Sequence, residues 1–164
     1  MVEVKIESIR VSLMSQHRVV ILKDVNGNRY LPIWIDAFVA EAITIHLQEQ
    51  AVARPLTHDL AMKLMQDLGG RLDRVVINDL RNDTFFAQLL VQTTAGKEVA
   101  FDARPSDAIA LAVRGACPIY VEEDVMNRAG VTPDDEEKPA TDEDLGAFKD
   151  FLGSLDLDDL EKNN

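Results

Sequence analysis

Two short phrases carry the residues best suited to chemistry, Arg54-Pro55-Leu56-Thr57-His58-Asp59 and Arg104-Pro105-Ser106-Asp107. Each sets an arginine, a proline, a hydroxyl residue and a carboxylate where a helix is expected to begin. A helix N-terminus offers unpaired N–H groups to an anion, and arginine grips phosphate through a planar fork of donors. Arg54, Arg104, Thr57 and Ser106 are therefore candidate phosphate-binding residues. Asp59, Asp107 and Glu41 are candidate ligands for a divalent ion, Mg²⁺ or Mn²⁺. Such an ion would activate water and stabilise the leaving oxygen in phosphodiester cleavage. His58, Asp59 and Asp107 are the candidate catalytic groups, and His58 is the histidine with a neighbour able to make it a general base.

The same residues also suit ordinary helix starts. Thr57 and Ser106 are good N-caps, Asp59 and Asp107 complement the helix dipole, and proline is expected nearby. Capping leaves unexplained why an arginine recurs at the same relative place and why His58 precedes Asp59. His46 lies mid-helix with no second ligand at i+4, and His17 lies in a loop, so both read as surface or packing residues. No Gly-rich phosphate loop, Cys/His zinc spacing or Ser-His-Asp constellation is legible. Base stacking has few platforms in Tyr30, Trp34 and Tyr120, to which Phe85 and Phe86 could add.

The elements that position these groups follow from periodicity. Val4 to Leu47 aligns without a gap on Gly70 to Val113, matching apolar type and carboxylates, which predicts two copies of one hairpin-plus-helix unit. Val2, Val4 and Ile6 alternate with charged residues, and the parity shifts at Ser8, predicting a strand with a bulge. Strands are predicted at Val19 to Leu22, Tyr30 to Ile35, Leu72 to Asp79, Phe85 to Gln92, Glu98 to Ala103 and Ile119 to Val121. Pro32 favours an edge position for its strand. Helices are predicted at Ala37 to Gln50, Thr57 to Leu68, Ser106 to Arg114 and Glu123 to Ala129. The expected fold is α+β, a single compact domain with a largely antiparallel sheet and packed helices.

Charge divides the chain. Residues 1–121 carry 14 acidic and 13 basic side chains, while residues 122–164 carry 15 and 4. Nine of the 13 basic residues before Glu122 are arginine, which suits bidentate contacts to phosphate or carboxylate. Residues 132–164 read as an acidic linker followed by a short amphipathic helix, with Leu145, Phe148, Leu152 and Leu155 at helical spacing. That helix either packs back on its own domain or docks on a protein partner. Lone Cys117 reads as a small buried hydrophobe in a reducing compartment. With no secretory signal and no membrane-length apolar run, the expected location is cytoplasmic.

Four segments occur in order between Val2 and Val131: Leu31-Pro32-Ile33-Trp34-Ile35, Arg54 to Leu60, Asp79 with Thr84-Phe85-Phe86-Ala87, and Ala103 to Ala112 with Pro118-Ile119. Together they resemble the bifunctional nuclease domain family. The resemblance implies a domain over residues 1–131, a homo-oligomer (dimer or trimer), and cleavage of both RNA and DNA. Its motif residues fall here on Arg54, Thr57, His58, Asp59, Arg104, Ser106 and Asp107. Two positions depart from the family pattern: Asp36 stands where many relatives have glycine, and Val39 where many are acidic. A missing carboxylate beside Glu41 weakens a two-carboxylate metal site on that helix, which Asp36 could offset. The competing expectation is a non-catalytic oligomeric binding or regulatory module whose acidic tail recruits a protein partner. Burial separates the two, since sealed arginine–carboxylate pairs favour structure and an open cleft favours catalysis.

Overall fold

Alternation begins the first strand, β1 (Val2–Val11), with Val2 and Val4 buried and Glu3 and Lys5 exposed. The computed structural model describes residues 1–11 and 17–133. Within them β1 is followed by β2 (Arg18–Asp24), β3 (Tyr30–Ile35), α1 (Ala37–Leu47) and α2 (Thr57–Asp67). Then come β4 (Gly70–Arg81), β5 (Thr84–Thr93), β6 (Glu98–Ala103), α3 (Pro105–Gly115), β7 (Ile119–Val121) and α4 (Glu123–Ala129). The predicted acidic linker and amphipathic tail helix lie outside the described residues.

The strands form one seven-stranded sheet in the order β3-β2-β1-β7-β4-β5-β6. Every neighbouring pair is antiparallel except β4 and β7, which are parallel. Two three-stranded meanders thus flank the short strand β7. The predicted bulge appears as a register shift between Ile6 and Ser8, and β4 shifts between Leu72 and Arg74, the positions onto which Ile6 and Ser8 align. Duplication of an ancestral unit is a reading of the sequence, whereas the sheet records two meanders of like connection. Pro32 lies on edge strand β3, where an absent N–H costs no ladder bond. The β4–β5 hairpin turns through Asn82 and Asp83 at φ 47° and 58°, the left-handed pair a two-residue turn requires.

The core lies between one sheet face and the helices. Leu22, Leu31, Val75 and Ile77 meet Ile43 of α1, Ile109 of α3 and Met126 of α4. Helix α3 is the most enclosed, with Pro105 and Ser106 buried and Ala108 to Ala112 buried without a break. Cys117 packs partly buried against this core, and burial pushes its thiol up to about 11, so it behaves as a small hydrophobe. Helix α2 stops at Leu68, after which Gly69 takes φ 82°, the left-handed conformation that ends helices. No helix among the described residues is long and apolar enough to cross a membrane.

Candidate active site

The helix starts differ from the predicted caps. Pro105 occupies the first turn of α3, which makes Arg104 the N-cap and puts Ser106 inside the helix, buried. Leu56 is the N-cap of α2, and Asp59 reaches back so that Oδ2 accepts the Leu56 N–H at 2.7 Å. Thr57 is therefore an exposed first-turn residue and no cap. Asp36 caps α1 by accepting the Val39 N–H at 2.9 Å.

Helices α1 and α3 run alongside each other with their starts together. Asp36 lies 3.5 Å from Nη1 of Arg104, and near the other end Arg114 donates to the Ala42 carbonyl at 3.1 Å. The start of α2 meets this pair from the side. Nε2 of His58 lies 3.0 Å from Oδ1 of Asp107, while Nε of Arg104 donates to Oδ2 of the same carboxylate at 2.7 Å. The two Arg-Pro phrases thus converge, with Asp36, Arg104, Asp107 and His58 in one continuous chain of contacts. The chain opens outward: the Arg104 side chain is 65% exposed, Asp107 30% and His58 12%.

Asp59 turns away from that chain. It forms an ion pair with Nε of Arg114 at 2.6 Å, and Arg114, only 4% exposed, also donates to the Ala110 carbonyl at 2.9 Å. Arg114 ties α1, α2 and the end of α3 together. It was not among the residues expected to matter, because its partners come from two other helices. Its one local signal is a charge two turns after Asp107 on an otherwise apolar helix.

Both carboxylates are held below their ordinary range. For Asp107, burial pushes the carboxyl up but is outweighed by hydrogen bonds from Arg104 and His58 and by their charge. For Asp59, burial is likewise outweighed by the Arg114 hydrogen bond, the Leu56 N–H and the charges of Arg114 and His46. A depressed carboxylate adds stability that is present above its unfolded value, near 3.8, and lost as the pH falls through the lower folded value. The melting temperature should therefore fall below about pH 4, and Asp59→Asn with Asp107→Asn should flatten that acid limb in a thermal series from pH 7 to pH 2.

The remaining expected residues scatter. Arg54 is exposed in the loop before α2, with no hydrogen bond or ion pair to another described residue. Glu41 lines a cleft of about 500 Å³ between α1 and the ends of β1 and β2, which it shares with Arg18. Asp59 lines a different cleft, of about 320 Å³, with His46 and Glu49. Among the described residues, no group of three or more His, Cys, Asp or Glu side chains is placed to hold a metal ion. The donor chemistry agrees, because both Asp59 oxygens and both Asp107 oxygens already accept hydrogen bonds from protein donors. The expected set of Asp59, Asp107 and Glu41 does not fit a single coordination sphere in this arrangement. Of the expected stacking residues, Phe85 packs against the core and Phe86 lies under Arg81, 5.2 Å from its ring.

Comparisons with known proteins bear on this geometry. A family model described as the bifunctional nuclease domain matches residues 20–134. An uncharacterised protein of Mycobacterium tuberculosis is 41% identical over 164 residues, covering 97% of this chain and 98% of that protein. Bifunctional nuclease 1 of Arabidopsis thaliana is 30% identical over 108 residues, or 64% of this chain and 33% of the plant protein. Bifunctional nuclease 2 of the same plant is 29% identical over a stretch of equal length and coverage. The matched region is thus about a third of the plant proteins.

Proposed function

Because the chain belongs to the bifunctional nuclease domain family, we propose that it hydrolyses phosphodiester bonds in RNA and DNA where the two Arg-Pro helix starts meet. The observation that carries this reading is the His58–Asp107–Arg104 contact, an oriented histidine beside an exposed arginine. Asp107 is ionised at neutral pH and can only accept, so Nε2 of His58 is the donor in their hydrogen bond. In the neutral ring Nδ1 then carries the lone pair, ready to take a proton.

Arg104 uses Nε on Asp107 and Nη1 on Asp36, leaving the Nη2 edge for a phosphate oxygen. Arg54 and Thr57 add a second cation and a hydroxyl from the loop and first turn leading to His58. In the proposed step, water attacks phosphorus and passes its proton to Nδ1 of His58. The bond from phosphorus to the leaving sugar oxygen breaks, and that oxygen takes a proton from solvent. A base that activates water makes no use of the 2′-hydroxyl, the group that distinguishes RNA from DNA. Such a site accepts both. The step is derived from side chains the structure brings together, and no metal enters it.

The test is cleavage of labelled single-stranded RNA and double-stranded DNA with Mg²⁺, with Mn²⁺ and with EDTA. Cleavage that persists in EDTA and is lost in Asp107→Asn is expected. Complete loss in EDTA, restored by Mg²⁺ or Mn²⁺, would overturn the metal-free step. Arg104→Ala should raise KM roughly tenfold, the worth of one charge-assisted hydrogen bond, and an unchanged KM would remove Arg104 from the site. The reading as a non-catalytic binding module draws support from the Asp59–Arg114 pair, in which the arginine is buried. A folded protein inactive under every condition would leave that reading in possession.

A further inference from the structure

The most exposed aromatic among the described residues was not among the expected stacking platforms. Phe38 is the second residue of α1, two positions after Asp36, whose carboxylate touches Arg104. Its side chain is 84% exposed, more than any other aromatic in the described residues. Such exposure of a phenylalanine forfeits about 1.5–3 kcal/mol of available burial. Of the other aromatics, Phe101 is also open, 50% exposed on β6 three residues before Arg104, but less so than Phe38. Phe85 and Phe86 are engaged, and Trp34 has the opposite strand parity to Leu31, Ile33 and Ile35, which face the helices and the core.

Resting on the nuclease reading above, we infer that Phe38 is a base-stacking residue that makes unpaired, single-stranded nucleic acid the preferred substrate. A strand whose phosphate meets Nη2 of Arg104 carries a base on either side of that phosphate. The first turn of α1 carries this open ring two residues after Asp36, which both starts that helix and pairs with Arg104. Stacking on a phenyl ring requires only a free π-face, so it tolerates any base and suits a site that takes both RNA and DNA. Within a duplex that face is already covered by neighbouring base pairs. The ring therefore discriminates by strandedness and leaves sequence unread.

The experiment measures binding of three fluorescein-labelled probes to the full chain: a ten-residue oligothymidylate, the same backbone without bases, and a ten-base-pair duplex. Phe38→Ala should weaken binding of the oligothymidylate about tenfold, within the range alanine substitution gives for one stacked base. Binding of the abasic strand and the duplex should stay within twofold, and Phe38→Trp should retain the oligothymidylate affinity. Leu68→Ala is the control, since Leu68 is 85% exposed and lies roughly 16 Å along α2 from its start. It should change nothing.

Equal affinity of Phe38→Ala and the parent for oligothymidylate would overturn the assignment, as would an equal loss on the abasic strand. A change of molecular mass in Phe38→Ala by light scattering would also overturn it, placing the ring in a subunit contact. Base-dependent binding without cleavage would reject the nuclease reading and keep the stacking residue. Cleavage unaffected by Phe38→Ala would do the reverse.

Discussion

Replacing His58 with alanine is expected to lower cleavage of RNA and DNA by about a hundredfold or more, the scale of a lost general base. The melting temperature should move little, because the variant gives up one partly exposed hydrogen bond, worth about 1 kcal/mol. Both nucleic acids should lose activity by the same factor if water is the nucleophile. A larger loss on RNA would point to the 2′-hydroxyl instead. Alanine at His17 and at His46 provides the comparison, since neither belongs to the Asp36–Arg104–Asp107–His58 chain. Full activity in His58→Ala would remove the dyad from the mechanism.

Arg114→Ala should produce the largest loss of stability among the polar residues named here, about 3 kcal/mol, by stranding a partly buried carboxylate without its cation. For a chain of this length that is a fall of about 6–12 °C in melting temperature. Three hydrogen bonds disappear together, to Asp59, Ala42 and Ala110. The Asp59→Ala Arg114→Ala double variant should be less destabilised than the sum of the two single variants, because each single change leaves a charge unpaired. Calorimetry on the four proteins measures that coupling. Strict additivity would mean that the pair stabilises nothing.

The contrast between Asp59 and Asp107 explains how far the site was legible in the sequence. The two Arg-Pro phrases, singled out from the sequence, do meet. The pairing within them was misread, because His58 and Asp59 are adjacent on a helix and adjacent helical residues point about 100° apart. His58 reaches the start of α3 and Asp59 its end. Neither choice follows from α2 alone, since both are fixed by where α3 packs. The strands were clearer. All seven were placed from their residue patterns and turn signals, and the parity change at Ser8 marked a bulge that the register contains. A three-residue strand such as β7 has no period to read, so its parallel pairing with β4 left no trace in the pattern.

That strand has a consequence for how the protein is made. Among the described residues, the sheet hydrogen-bonds the meander of β1, β2 and β3 to that of β4, β5 and β6 only through Ile119–Val121. A ribosome delivers those three residues after both meanders have emerged. Until then the nascent chain carries two half-sheets, each with an inner edge that has no strand to pair with. Such edges recruit other chains. The last of the described strands to be synthesised is the keystone of the sheet, and until it arrives the unpaired inner edges leave the growing polypeptide open to misassembly.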